Sequence, residues 1–317
     1  MSTTRNDNDS WDIKTSVGAT ALFVAAARGL AARHPQALAV DEFAEVFCRA
    51  AGDEWAELFT ADPELTKQHP LRSADFGPLF QAFQAGRTRY FDDYLRSATE
   101  AGVRQVVVLA AGLDSRAYRL PWPDGTVIYE LDRQPVLEFK RAVLDDADAT
   151  TTAERHEVAV DLRDDWATAL RDNGFDPSLP TAWLVEGLVI YLTPAAQDQL
   201  FDTLNALSAP GSWLGIEEMG TIDSGVFSAM TTSSTDPDSY DRGAGARWAG
   251  LIYNDRKTQA VQSFTPQGWT GAAIGLVDYL QSHGRTVPGG GEAVGHFNPS
   301  LMSLATMRKP TSANARP

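Results

Sequence analysis

Cysteine is almost missing from this chain: Cys48 is the only one in 317 residues. A single thiol permits no internal disulfide and no cysteine-built zinc site. No metal site is expected, and a reducing, cytoplasmic setting is. Positive charge is also scarce, with 27 Lys and Arg against 42 Asp and Glu and a formal net charge of −15. Nucleic-acid binding rests on basic side chains that neutralise phosphates, so no nucleic-acid partner is expected. Long apolar runs are absent too. The most apolar early stretch, "GATALFVAAARGLAA", covers residues 18–32 and is interrupted by Arg28. It is too short to span a bilayer and reads as an Ala-rich helix on a core, with no membrane partner. The opening "MSTTRNDNDSWD" carries no basic segment leading into an apolar one, as a secretory signal would. Residues 1–9 and 311–317 read as frayed ends.

What is present is ordinary for a soluble globular protein: 43% hydrophobic and 22% charged residues. Residues 15–100 read mainly as helix, with Phe80, Phe83 and Tyr90 on one face of a helix over about 79–101 that stops at Gly102. The rhythm then changes. "VRQVVVLAAG" (103–112), "TVIYELD" (126–132), "HEVAVDL" (156–162), a segment within "TAWLVEGLVIYL" (181–192) and "SWLGIEEM" (212–219) read as strands with helices between them. Such alternation means βαβ units and a mainly parallel sheet. Residues 220–262 are polar and Gly/Ser-rich and read as a lid-like insertion. Phe227, Met230, Tyr240 and Trp248 serve either as anchors or as a cover for a substrate. A helix is expected over 269–283 and a last strand over 300–307. A helical region, 1–100, should pack on a core, 101–317, as one compact domain.

Ligands of open α/β sheets sit beyond the carboxyl ends of the strands. Strand one ends at Ala110-Ala111-Gly112, without the three glycines of a dinucleotide fingerprint. Gly112 can let backbone approach a ligand. Asp132 ends strand two and can accept from both hydroxyls of a ribose, or simply cap a helix. Asp161 and Leu162 can flank an adenine, the acid accepting from its amine and the backbone N–H donating to the ring; alternatively Asp161 caps the next helix. Glu186 lies in an apolar run, where an isolated carboxylate is costly. Its partner is either an amino group on a ligand or a structural arginine. Arg87 and Arg89 are candidates for a ligand carboxylate. Adenine, ribose and an amino-acid tail together describe S-adenosyl-L-methionine.

The stretches "SVGATALFVAAAR", "RTRYFDDYL", "VVVLAAGLDSRAYRL", "VIYELDRQPVLEFK", "AVDLRDDW" and "WLVEGLVIYLTP" run in order over about residues 11–205. Together they resemble the S-adenosylmethionine-dependent methyltransferases of the leucine carboxyl methyltransferase type, especially a branch abundant in actinobacteria. The resemblance implies a class I methyltransferase fold, α/β and Rossmann-like, with seven mainly parallel strands, the last antiparallel, and helices on both faces. It implies cofactor contacts at Arg87, Ala110, Gly112, Asp132, Asp161, Leu162 and Glu186. Where the family often reads Gly-Ala-Gly, this chain has Ala110-Ala111-Gly112, so the contact at Ala110 must be made by backbone alone. No catalytic side chain is assigned. His34, His69, His156, His283 and His296 all fall away from the strand ends; His69 could reach a pocket but reads better as a loop residue. The expected reaction is O-methylation of a carboxylate or hydroxyl on a small molecule or peptide, and a carboxylate acceptor needs no general base. The rivals are a nicotinamide-dependent oxidoreductase and a non-enzymatic S-adenosylmethionine-binding protein.

Overall fold

A computed structural model describes residues 17–60, 66–67, 69–232, 251–255, 257–291 and 297–311. The strands are β1 (Gln105–Leu109), β2 (Val127–Asp132), β3 (Glu154–Ala159), β4 (Thr181–Val185), β5 (Trp213–Met219), β6 (Thr270–Gly275) and β7 (Met302–Arg308). They form one sheet in the order β3-β2-β1-β4-β5-β7-β6. The first five strands are parallel, and β7 inserts antiparallel to both β5 and β6. This is the class I methyltransferase arrangement that the resemblance implied.

The sequence of β1, Gln-Val-Val-Val-Leu, is buried at every position. A continuous apolar run of that kind belongs to a strand covered on both faces. On one face Val106, Val108, Ile128 and Leu184 meet Phe91, Tyr94 and Leu95 of α4 (Phe76–Glu100). On the other, Val107, Leu109, Trp183 and Ile216 meet Leu170 of α7 (Trp166–Asp172), Leu200 and Leu204 of α8 (Pro194–Leu207) and Phe264 of α10 (Ala260–Phe264). Gly215 fixes how near α4 can come: a Cβ there would stand 2.7 Å from the Tyr94 ring, whose hydroxyl donates to the Trp183 carbonyl at 2.8 Å. Helices α1 (Val17–Ala32) and α2 (Glu42–Ala51) form a third cluster with Val136, Val143 and Leu144 of α6 (Gln134–Asp146) and with Leu113 of the loop after β1.

Several boundaries move. The expected helix over 269–283 is a strand, β6, followed by the shorter helix α11 (Leu276–Ser282). Thr-Gly-Ala-Ala-Ile-Gly has no β-rich composition and no apolar alternation, and its first four residues are exposed. Pairing with β7 overrides its local preference. The third strand spans 154–159 rather than 156–162, which leaves Asp161 and Leu162 in the turn after it. Glu186 likewise follows β4 rather than lying within it. The helix expected over 79–101 runs 76–100, and Gly102 (φ +96°) follows it as expected. Within 220–262, a helix α9 (Ser224–Thr232) forms, and Phe227 packs beside Ile222 and Ile252. Tyr240, Trp248 and the side chain of Met230 lie outside the described residues, as do 1–9 and 312–317. No helix among the described residues is long and apolar enough to cross a membrane.

Candidate functional site

The loop after β1 begins with an unfavourable backbone. Ala110 has φ +52° and Gly112 φ +47°. Left-handed geometry suits glycine; for an L-residue it costs about 1–2 kcal/mol. Ala110 therefore carries strain at the position where the family often has glycine. The loop is held by its neighbours. Gly112 donates its backbone N–H to Asp132 Oδ2 at 2.6 Å, and Asp132 Oδ1 accepts from Arg133 N at 2.7 Å. The ends of β1 and β2 are thus joined by the two residues that the sequence paired. Each Asp132 oxygen retains acceptor capacity beyond its single backbone bond. Burial raises the Asp132 carboxyl above its ordinary range, against the lowering effect of these two N–H donors.

The N-terminal helices brace the same loop. Arg28 of α1 donates to the Leu113 carbonyl at 2.7 Å and to Asp41 at 2.9 Å. Asp41 caps α2 through Phe43 N and Ala44 N and also accepts from the Ser115 hydroxyl at 2.7 Å. One buried carboxylate thereby ties a helix start to the loop after β1. Its carboxyl is held below the usual range by Arg28, Arg119 and the hydroxyl, although burial opposes this.

Beyond the ends of β1, β4 and β5 lies a chain of buried ion pairs. Arg87 of α4 is 6% exposed. It donates to Glu217 Oε2 at 2.8 Å and to Gln84 Oε1 at 2.7 Å. Its Nε stands 2.9 Å from Glu186 Oε1, an ion pair without hydrogen-bond alignment. Glu186 Oε2 accepts from Arg116 Nη1 at 2.8 Å. Arg116, in the one-turn helix α5 (Arg116–Arg119), also donates to Asp92 at 2.8 Å and pairs with Asp114. Arg119 grips Asp92 through both terminal nitrogens, at 2.6 and 2.7 Å. So Glu186 is held by two arginines, the structural alternative that the sequence left open.

The remaining candidates separate. Arg89 faces solvent and pairs with Asp93 at 2.6 Å, so of the two arginines only Arg87 reaches the strand ends. Asp161 pairs with Arg163 at 2.7 Å and with Arg133 at 3.4 Å, and Arg163 first of all lowers its carboxyl. It does not cap the following helix; Asp165 does, accepting from Thr168 N at 3.0 Å. Leu162 is partly buried against the core face that holds Val158 and Trp166. His69 is buried between Phe23 and Trp55, and its Nδ1 accepts from Leu71 N at 3.2 Å. Burial drives its pKa down to about 4. Among the described residues, no three His, Cys, Asp or Glu side chains group to hold a metal.

A family model described as "Leucine carboxyl methyltransferase" matches residues 21–205. Relatives in mycobacteria bear the name "Putative S-adenosyl-L-methionine-dependent methyltransferase". That of Mycobacteroides abscessus is 53% identical over 284 residues, covering 90% of this chain and 93% of the relative. That of Mycobacterium tuberculosis H37Ra is 50% identical over 291 residues, with the same coverage. The chain belongs to the leucine carboxyl methyltransferase family. Methyl transfer from S-adenosyl-L-methionine is the activity that goes with this membership. A distant likeness in fold is magnesium protoporphyrin IX methyltransferase from Synechocystis with bound SAH: TM-score 0.46, 10% identity, 83% of this chain and 95% of that one.

Three charged residues of this leucine carboxyl methyltransferase relative escaped the sequence reading: Arg116, Glu217 and Glu218. The signal for the last two was present. Consecutive carboxylates in an apolar strand, "SWLGIEEM", raise the same question of partners as Glu186 does. Glu217 finds Arg87 and the backbone N–H of Gly187, at 2.7 Å. Glu218, on the opposite face, accepts from Ala260 N at 2.7 Å, and its Oε2 has no hydrogen-bond partner among the described residues. Arg116 gave no such signal, because an arginine in a loop reads as solvated until its buried partners are known.

Proposed function

We propose that this methyltransferase holds S-adenosyl-L-methionine at the strand ends through Arg87, Ala110, Gly112, Asp132, Asp161, Leu162 and Glu186, and methylates a carboxylate or hydroxyl oxygen of a small molecule or peptide. The observation that carries the reading is the convergence of Gly112, Asp132, Arg87 and Glu186, from four separate elements, on the carboxyl ends of the parallel strands of one sheet. The residues present fit the cofactor. Asp132 can accept from ribose hydroxyls with its spare lone pairs. Glu186 and Arg87 are an acid and a base side by side, matched to an amino-acid ammonium and carboxylate. Asp161, at the turn after β3, can accept from an adenine amine once it shares its charge with the two arginines. A Cβ on Gly112 would meet nothing nearer than 3.8 Å, so the loop has room for close approach.

Bound S-adenosyl-L-methionine supplies a methyl group already activated on a cationic sulfur. The protein's part is to align an acceptor oxygen and exclude water, and positioning of this kind is worth about 7–11 kcal/mol in favourable systems. A carboxylate acceptor arrives ionised, which suits a site where, among the described residues, no histidine stands at the carboxyl ends of the strands. The test has two arms. Calorimetry with S-adenosyl-L-methionine, S-adenosylhomocysteine and NAD should give binding of the first two alone; NAD binding would favour an oxidoreductase. A methyl-transfer screen against small acids and phenols should find turnover. Cofactor binding without any turnover across a broad panel would favour a non-enzymatic binding protein.

A further inference from the structure

The sheet has two edges, and only one of them is guarded. β3 carries Glu154, Arg155, His156 and Glu157 in succession, and these side chains pair with one another and with Arg141. Charges of that density keep a foreign strand from docking. β6 forms the other edge with Thr-Gly-Ala-Ala-Ile-Gly, which holds no charge and no proline. Its first four residues are exposed, and among the described residues its outer side pairs with no strand. Side chains this small leave the edge N–H and C=O groups open to a partner.

The surroundings of β6 say which partner. A groove of about 480 Å³ lies beside it, lined by Thr270, Ala272, Thr306, Arg308 and Tyr90 of α4. Arg308 stands opposite Thr270 in the β6–β7 ladder, with its guanidinium held over the Trp213 ring at 3.6 Å. It is exposed, and among the described residues it has no carboxylate partner, in a chain of net charge −15. At the other end of β6, Asp278 lies in the first turn of α11, exposed and, among the described residues, without a cation partner. Its Oδ2 stands 3.2 Å from where a Cβ on Gly275 would be. Trp213 and the α11 residues Leu276, Tyr279 and Leu280 belong to the core cluster under α4, so both charges lie on one face of the sheet. β6 thus has an unanswered cation at its start and an unanswered anion at its end.

We propose that two copies of this chain join edge to edge through β6, antiparallel about Ala272 and Ala273, into one continuous sheet. An antiparallel pair of identical strands is self-complementary under a two-fold axis, so the contact closes at two copies. The axis stands perpendicular to the sheet; it keeps the α4 face on the same side in both copies and reverses strand direction. The first turn of α11 in one copy is thereby carried to the Thr270 end of the other. There it enters the groove and sets Asp278 against Arg308, and the exchange occurs twice. Arg308 is one strand in from the edge, about 5 Å, a span its long side chain can cross. The ladder and the filled groove hold the copies together, and the two charge pairs fix the register. The two rims of strand carboxyl ends then point in opposite directions, and none of the residues proposed to hold the cofactor takes part.

Light scattering on the full chain should give twice the 34.4 kDa of one copy at about 100 µM, the regime in which mass action favours the pair. Ala272→Lys, which sets two like charges beside the axis, should weaken the dimer at least about tenfold. Arg308→Glu and Asp278→Lys should each weaken it, and the two together should restore most of it, a rescue that general damage to folding would not produce. A wild-type mass of one copy, or masses that grow past two, overturns the proposal. So does a dimer that survives Ala272→Lys and Arg308→Glu unchanged, which would place the contact on another face. Should these variants not fold, as judged by circular dichroism, milder ones decide. Ala272→Cys and Ala273→Cys should each be linked in pairs by a short bismaleimide, whereas the wild type, with only the buried Cys48, should not. No linked pair from either cysteine variant overturns the proposal.

Discussion

Glu218 should make the protein weaker as the solution becomes more alkaline. It is 6% exposed, accepts one hydrogen bond from Ala260 N, and its Oε2 has no hydrogen-bond partner among the described residues. Burial pushes its pKa up to about 7 from an ordinary 4.5, with only the Ala260 N–H pulling the other way. The folded state therefore binds this proton more tightly than the unfolded chain does. The associated stability is complete below about pH 4.5 and is lost progressively as pH rises through about 7. At 1.36 kcal/mol for each pH unit between those two values, the loss at pH 8 is about 3 kcal/mol. Glu218→Gln removes the titration but keeps an oxygen for Ala260 N and places an amide where Oε2 was. The variant should match the wild type at pH 4.5–5 and exceed it by about 3 kcal/mol at pH 8. For a chain of this length that corresponds to a gain of about 4–5 °C in melting temperature. Urea unfolding at pH 5, 6.5 and 8 gives the difference directly, and other titrating groups cancel because both proteins carry them. A wild-type-to-variant gap that does not change with pH, or a variant less stable at pH 8, refutes the reasoning.

Ala110→Gly should relieve the left-handed strain at φ +52° and stabilise the fold by about 1 kcal/mol, read as a shift in urea midpoint; a loss of stability would mean that the methyl group is worth more in packing. Glu130→Ala should cost about 3–5 kcal/mol, because it strands Lys140, fully buried and bonded to Glu130 at 2.7 Å. Lys140→Met should cost less, since Arg155 still holds Glu130 at 2.6 Å; equal losses in chemical denaturation would contradict this. Asp132→Ala should fold and bind S-adenosylhomocysteine at least about tenfold more weakly, as hydrogen bonds to a charged acceptor are worth about 1.5–3 kcal/mol each; unchanged affinity places the ribose elsewhere. Glu186→Gln should weaken S-adenosylhomocysteine more than 5′-methylthioadenosine, which lacks the amino-acid tail; equal losses in calorimetry would remove Glu186 from that tail.

The parallel half of the sheet was legible because burial on both faces leaves a plain mark: "VVVL", "VIYEL" and "AWLV" are apolar runs closed by a turn residue. The far edge was not. β6 packs one side only, and its Gly and Ala positions carry little pattern; its strand geometry comes from β7, thirty residues later in the chain. The pairing of Gly112 with Asp132 was also readable, since strand ends and spacing place both on one rim. What could not be read was how charges are shared. Sequence placed Arg87 and Glu186 separately, but that Arg116 divides itself among Asp92, Asp114 and Glu186 depends on the packing of α4 against three strands. His69 was rightly set aside as a loop residue, though it turns out buried rather than solvated.

The place of β7 sets the order in which this sheet can be completed during synthesis. β5 and β6 have no contact through the ladder except by way of β7, which follows both in the chain. Until the ribosome has delivered residues 302–308, β5 presents an open edge of Trp-Leu-Gly-Ile and β6 has no strand to pair with. Unpaired edges of this kind recruit other strands. A nascent chain arrested before β7 therefore displays β5 with one side unsealed, and it is at that stage that a chaperone would have most to protect.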